Sequence, residues 1–185
     1  PQLLGDAIQE CDHMTRLVED LLLLSRLDTG RLQLERRAVD LSDLLAEVQR
    51  QVGRLVASRD IQLCLERTIG SVWGDPTRLR LVLLIVLDNA LRHTPPGGTI
   101  QVDTALRGRH VQIIVTDTGV GIASEHVAHL FERFYRVDNA RGADNSSTGL
   151  GLSIAKALVE AQQGWITITS ELGRGTRVTI ALPAL

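Results

Sequence analysis

Three glycine-bearing stretches and one helix end carry the residue types that could do chemistry in this chain. Asp117-Thr118-Gly119-Val120-Gly121 follows the β-branched run from Val111 to Thr116, so a strand delivers a carboxylate to the mouth of a loop. Its glycines permit close approaches that a Cβ would block, so something flat or phosphorylated could sit against the loop; the same residues also serve as ordinary turn punctuation. Thr148-Gly149-Leu150-Gly151-Leu152 opens a helix-patterned run that is expected to continue to about Gln163 and to be capped by Gly164, and at its start free backbone donors and the helix dipole suit phosphate oxygens. Gly173-Arg174-Gly175 is a third glycine pair. Asn89 and Arg92, three residues apart near a helix end, can turn a carbonyl oxygen and a guanidinium toward one phosphate-metal cluster. By spacing alone, a solvated helix end with Arg92 complementing the dipole fits better.

The elements that must position these residues follow from periodicity. Apolar residues at Leu4, Ala7, Ile8, Cys11, Met14, Val18, Leu21 and Leu22 predict a helix over residues 3–27, stopped at Asp28-Thr29-Gly30. With Leu3, Leu17 and Leu24 its stripe is wide enough for a four-helix bundle, or for packing on its own domain. Leu32 to Glu35 alternates like a short strand. Asp40 stands at the N-cap of a second amphipathic helix, and Asp75-Pro76 starts a third that runs to His93 and stops at Thr94-Pro95-Pro96. Thr99 to Leu106 and His110 to Asp117 form a hairpin about Gly108-Arg109. Ser124 is expected to cap a short helix. Phe131, Phe134 and Tyr135 read as an apolar anchor before a polar lid over residues 138–147. Strands at Trp165 to Thr169 and Arg177 to Leu182 complete an α+β fold, with a mixed sheet covered by helices on one face and a long helix before it.

Composition narrows the class. At 185 residues, 44% hydrophobic and 23% charged, the chain suits one core plus a helical appendage, and a net charge of -2 gives no case for nucleic-acid binding through a global basic field. Cys11 and Cys64 match no metal or redox spacing, which fits a reducing, cytoplasmic compartment. No apolar run is long enough for a membrane span, so membrane contact by these residues is not expected. A start at Pro1 suggests a fragment, whose full-length form could be membrane-anchored upstream.

Taken in order, Asn89 on a helix end, Asp117-x-Gly119-x-Gly121, the Phe131/Phe134 pair and Thr148-Gly149-Leu150-Gly151-Leu152 resemble the N box, first glycine box, F box and second glycine box of two-component sensor histidine kinases. Gly173-Arg174-Gly175-Thr176 is similar to the trailing glycine box. The resemblance implies a Bergerat-type two-layer α/β sandwich over residues 31–185, with residues 1–30 as the second helix of the dimerisation and phosphoacceptor hairpin. It implies ATP and Mg²⁺ as cofactors. Asp117 is expected to accept a hydrogen bond from the adenine amine, supported by Thr176, with Gly119 and Gly121 in the same loop. Asn89 is expected to hold Mg²⁺, and Thr148, Gly149, Leu150, Gly151 and Leu152 to line the phosphates. Arg92 and Arg136 would neutralise charge, with Asn89 and Arg92 as the catalytic pair, and His93 would lie beside the nucleotide. Implied partners are a response-regulator receiver domain and the chain's own hairpin in a homodimer.

Ile85 stands where many members carry a further asparagine, Ser147 where a glycine is frequent, and Arg92 where a lysine is frequent. The last carries little weight, since the basic residues are 19 arginines and Lys156 alone. The phosphoacceptor histidine box is not in these residues, and His13, in Cys11-Asp12-His13-Met14-Thr15, is expected to be a helix-surface histidine. The expected activity is transfer of the ATP γ-phosphoryl group to a histidine outside this chain. The alternatives are a nucleotide-sensing or docking domain without complete catalysis, and an ATPase related to the type II topoisomerases.

Overall fold

The computed structural model describes residues 2–66, 68, 70–137 and 148–185, with side chains from residue 10 onward except residue 12. The polar run 138–147, with Ser147, lies outside them. Helix α1 (Gln2–Asp28) ends where Gly30 takes φ 63°, the left-handed turn that a glycine tolerates. In α2 (Leu41–Ser58) the Asp40 carboxylate accepts from the Ser42 N–H at 2.7 Å and the Asp43 N–H at 3.3 Å. In α3 (Pro76–His93) Asp75 does the same for Thr77 and Arg78, with Pro76 in the first turn. Leu79, Val82, Leu83, Val86, Leu87, Ala90 and Leu91 bury one side of α3. Each large aliphatic among them contributes about 1.5–3 kcal/mol of burial, so this helix is a firm support for what its end carries.

The main sheet has five strands in the order β2-β4-β5-β7-β6. These are β2 (Gln62–Leu65), β4 (Thr99–Arg107), β5 (His110–Asp117), β6 (Trp165–Glu171) and β7 (Gly175–Pro183). β2 runs parallel to β4, and the other neighbours are antiparallel, which makes the sheet mixed. β1 (Arg37–Asp40) and β3 (Ser71–Gly74) pair separately. Ile100, Val102, Ile113, Val115, Val178 and Ile180 are buried in the same core as the apolar faces of α2, α3 and α5 (Gly151–Glu160). The register row Gln101, Thr116, Arg177, Thr169 is polar and at least partly exposed, so one face of the sheet is covered and the other open.

Three local expectations are corrected. Residues 31–36 are not a strand; the backbone there bonds to helix ends instead, Glu35 N–H to the Asp75 carboxylate at 3.0 Å, with the Arg36 guanidinium donating to the Ala161 carbonyl. Alternation made the segment look like a strand, but no strand lies beside it. Ser124 does not cap α4 (Ser124–Val127); Ala123 occupies the N-cap without a side-chain bond. Finally, α5 stops at Glu160, and a turn through Gln163 at φ 63° leads to β6.

Helix α1 carries two apolar stripes. Leu24 is buried, with Leu23 and Leu27 packed on the core, so one stripe lies on the chain's own domain. Met14, Val18, Leu21 and Leu22 are exposed on another. His13 is half-buried rather than fully on the surface, and its Nδ1 has no partner among the described residues. No helix among the described residues is long and apolar enough to cross a membrane.

Candidate functional site

The end of α3 touches two of the glycine turns. The Ile85 Cγ2 lies 3.2 Å from where a Cβ on Gly151 would sit, and the His93 carbonyl accepts from the Val120 N–H at 3.2 Å. Asn89 is four residues from each, hence on the face of the helix that joins both contacts. It is partly exposed, and its amide hydrogen-bonds to no described residue. The Arg92 Nε donates to the Asp88 carboxylate at 2.7 Å, one helical turn away, which holds the guanidinium at the helix end. His93 and Arg136 are exposed.

Asp117 closes β5 and is 6% exposed. Its Oδ1 accepts from the Gly119 N–H at 2.8 Å and the Thr176 N–H at 3.2 Å, while no described residue donates to Oδ2. Burial pushes its carboxyl above the ordinary carboxylate value, with the two N–H groups and His93 pulling it back. The result is a fixed acceptor with one oxygen still to satisfy. Thr176 bonds through its hydroxyl to the Ser170 hydroxyl at 2.9 Å. Ser170 also bonds the Gly175 carbonyl at 2.8 Å and accepts from the Ile122 N–H at 2.9 Å, tying the first and third glycine turns together. Sequence reading passed over Ser170, since nothing local marks a strand serine as a bridge between two loops.

The glycines have a reason that the sequence did not supply. A Cβ on Gly121, at φ +68°, would lie 2.0 Å from the Glu171 carbonyl oxygen, and one on Gly175, at φ +95°, 2.0 Å from that of Asp117. Gly119 is held within 2.5 Å of the His93 carbonyl by the same measure, and Gly149 within 2.8 Å of the Phe134 backbone. These positions are glycine because backbone packs on backbone. The first glycine turn locks to the third through the Gly173 N–H and Val120 carbonyl at 2.7 Å, and the second locks to the F box through the Phe134 N–H and Gly149 carbonyl at 2.9 Å. Phe131 packs on the core, whereas Phe134 is exposed at φ 64°.

Helix α5 begins after Leu150, which caps it with no side-chain bond. Leu150 is fully buried, and Leu152 is half-buried. The Thr148 hydroxyl oxygen accepts from the Leu150 N–H at 3.3 Å. Asn89, Asp117, Thr176 and the start of α5 are therefore joined through α3 and the interlocked turns. A cavity of about 350 Å³ reaches Asp117 and Thr176 from the open side, beside Thr116, Thr169 and Arg177, and is lined by no residue of α3 or α5. The contacts of α3 with two glycine turns locate the site better than that depression does. Among the described residues no three His, Cys, Asp or Glu side chains cluster as metal ligands.

Known proteins resemble this chain in sequence and fold. The profile of the family described as "Histidine kinase-, DNA gyrase B-, and HSP90-like ATPase" matches residues 74–185. Sensor histidine kinase CusS of Escherichia coli (strain K12) is 39% identical over 177 residues, covering 96% of this chain and 37% of that relative. The chain thus spans a little over a third of the length of such curated relatives. Full-length ShkA, solved with AMPPNP, superposes with a TM-score of 0.83 at 28% identity over 99% of this chain and 38% of the other. The Acinetobacter baumannii histidine kinase AdeS has the same fold, with a TM-score of 0.83 at 24% identity over 99% of this chain and 84% of the other. The profile covers α3, the Asp117 turn, α5 and the last glycine turn, and the chain belongs to the histidine kinase-, DNA gyrase B- and HSP90-like ATPase family as a catalytic ATP-binding domain of the two-component histidine kinase kind.

Proposed function

We propose that residues 31–185 bind ATP and transfer its γ-phosphoryl group to a histidine outside this chain, and that residues 1–30 belong to the dimerisation and phosphoacceptor hairpin. The observation that carries the reading is Asp117: one carboxylate oxygen fixed by two backbone donors, the other with no described donor, next to Thr176. Such a group accepts the exocyclic amine of adenine, and Thr176, held by Ser170, supports the same edge. The uncapped start of α5 offers its first N–H groups to the phosphates, where the helix dipole favours negative charge.

Asn89 fits a Mg²⁺ site of the sparse kind, since its amide bonds to no described residue and no carboxylate cluster among the described residues competes for the ion. One protein oxygen with phosphate oxygens and waters suits Mg²⁺, which keeps much of its hydration. Bound there it would offset charge on the transferring phosphoryl group. Arg92, aimed by Asp88, adds positive charge from the same helix face, and the exposed Arg136 and His93 would add more. The bond from the γ-phosphorus to the bridging oxygen breaks as one forms to an imidazole nitrogen, and the protein's part is positioning and electrostatic stabilisation. The exposed stripe of α1 fits the hairpin of a homodimer, and a response-regulator aspartate is the onward acceptor.

A second reading, a domain that senses nucleotide without transferring phosphate, is favoured by one observation: Ile85 places a methyl group, not a metal ligand, against Gly151. Incubating a protein that includes the preceding segment with γ-labelled ATP and Mg²⁺ separates the two. Acid-labile label on histidine is expected, and ATP binding without any transfer supports the sensor.

A further inference from the structure

Asp117, Thr176 and Ser170 are direct neighbours across β5, β7 and β6, so their side chains share one face of the sheet. Their hydrogen bonds dictate where the hydroxyl protons go. A carbonyl only accepts, so the Ser170 hydroxyl spends its one proton on the Gly175 carbonyl at 2.8 Å. The Ser170 oxygen accepts from the Ile122 N–H at 2.9 Å. Its remaining bond, to the Thr176 hydroxyl at 2.9 Å, must then be donated by Thr176. Ser170 is thereby saturated, with one bond given and two received. Thr176 has no proton left to give, and no described residue donates to its oxygen.

We propose that Ser170 is a positioning residue for base recognition: by taking the Thr176 proton it makes Thr176 a pure acceptor, so that a bound base meets two acceptors side by side, Asp117 Oδ2 and Thr176 Oγ1. The inference rests on the ATP reading of this site. It decides what each oxygen meets. A ring N–H donates to Thr176 directly, whereas an accepting ring nitrogen, such as N1 of adenine, reaches it only through a water that donates to both. Choice among purines then falls on Asp117, which takes an exocyclic amine and repels a carbonyl at the same ring position. A Thr176 hydroxyl free to turn would donate to one ring and accept from another, and so would read neither. The same geometry fixes what an amide in place of the carboxylate presents. The Gly119 and Thr176 N–H groups on Oδ1 hold the amide oxygen there, so Asp117→Asn turns its NH₂ toward the base. A donor beside the Thr176 acceptor matches hypoxanthine, which carries a carbonyl beside a ring N–H.

Calorimetric titration of the whole chain with ATP, inosine triphosphate and inorganic tripolyphosphate tests this. Asp117→Asn should move the ratio of ATP to inosine triphosphate affinity about tenfold or more toward inosine triphosphate. Adding Ser170→Ala frees the Thr176 proton, and the shifted ratio should fall back about two- to tenfold, the scale of one neutral hydrogen bond. Tripolyphosphate, which has no base, should bind every variant within about twofold of wild type. A shifted ratio that Ser170→Ala leaves unchanged overturns the proposal and spares the ATP reading. Loss of tripolyphosphate binding with Ser170→Ala also overturns it, since Ser170 would then prop the turns without directing a proton. If Asp117→Asn itself leaves the ratio at the wild-type value, the base is read elsewhere and the proposal falls with the reading beneath it. Neutron diffraction from deuterated wild-type crystals tests the proton placement with no substitution. The Thr176 deuteron should lie on the line to Ser170 Oγ and the Ser170 deuteron on the line to the Gly175 carbonyl; a Thr176 deuteron turned elsewhere refutes the assignment.

Discussion

Gly121→Ala and Gly173→Ala form a pair whose comparison isolates what the interlocked turns contribute. Both glycines have positive φ, +68° and +79°, so an alanine at either carries the left-handed backbone cost of about 1–2 kcal/mol. They differ in what the new methyl meets. At Gly173 nothing lies within 4 Å, whereas at Gly121 the Cβ would sit 2.0 Å from the Glu171 carbonyl oxygen and 2.8 Å from its carbon. Both neighbours are backbone at the end of β6, so no rotamer change relieves the overlap, and forced displacement in packed structure adds about 1–3 kcal/mol. Gly121→Ala should therefore lose about 2–5 kcal/mol against about 1–2 for Gly173→Ala. For a chain of this size the gap amounts to about 2–12 °C in Tm. Urea and thermal unfolding of the two variants read it directly. Equal destabilisation would refute the claim that the first and third turns are glycine because their backbones touch.

Other outcomes follow from the same geometry. Because burial raises the Asp117 carboxyl, its folded-state value lies above the ordinary 3.8. Wild type should then be most stable relative to Asp117→Asn below that ordinary value and lose ground as pH rises through the raised one, a trend seen in urea midpoints from pH 3 to 7; a constant difference would contradict it. Gln162, 1% exposed, accepts from the Asp75 N–H at 2.7 Å and donates to the Leu158 carbonyl at 2.9 Å. Gln162→Leu leaves that N–H buried without a partner and should cost about 1–3 kcal/mol, lowering the denaturant midpoint at constant m-value. Asn89→Ala should bind ATP as wild type does in EDTA but lose most of the gain that Mg²⁺ gives wild type; an undiminished Mg²⁺ effect would place the ion elsewhere.

What the sequence disclosed was set by how local each interaction is. Asp75-Pro76 announced α3 because a cap and a first-turn proline act within a few residues. The hairpin about Gly108 was legible for the same reason. Leu32 to Glu35 misled because alternation describes a half-buried extended chain, whether or not a strand pairs with it. β3 went unnoticed, since its four residues find their partner more than thirty positions back in β1. At the site, Asp117 and Asn89 were visible as residue types at telling spacings. Ser170, Gln162 and the backbone contacts that require the glycines were not, because each depends on a neighbour distant in sequence. The resemblance to histidine kinases supplied roles, and the structure supplied what holds those residues in place.

The reading of Asp117 is tested most directly by comparing ATP with inosine triphosphate, whose ring carries a carbonyl where adenine carries the amine. With the Asp117 carboxylate accepting from that amine, wild type should favour ATP by at least the 1.5–3 kcal/mol of a charged hydrogen bond, about 10- to 150-fold in Kd. Asp117→Asn, whose amide can turn a donor toward the carbonyl, should shrink or invert the preference. Equal affinity of wild type for the two nucleotides would contradict the assignment of Asp117 as the residue that reads adenine.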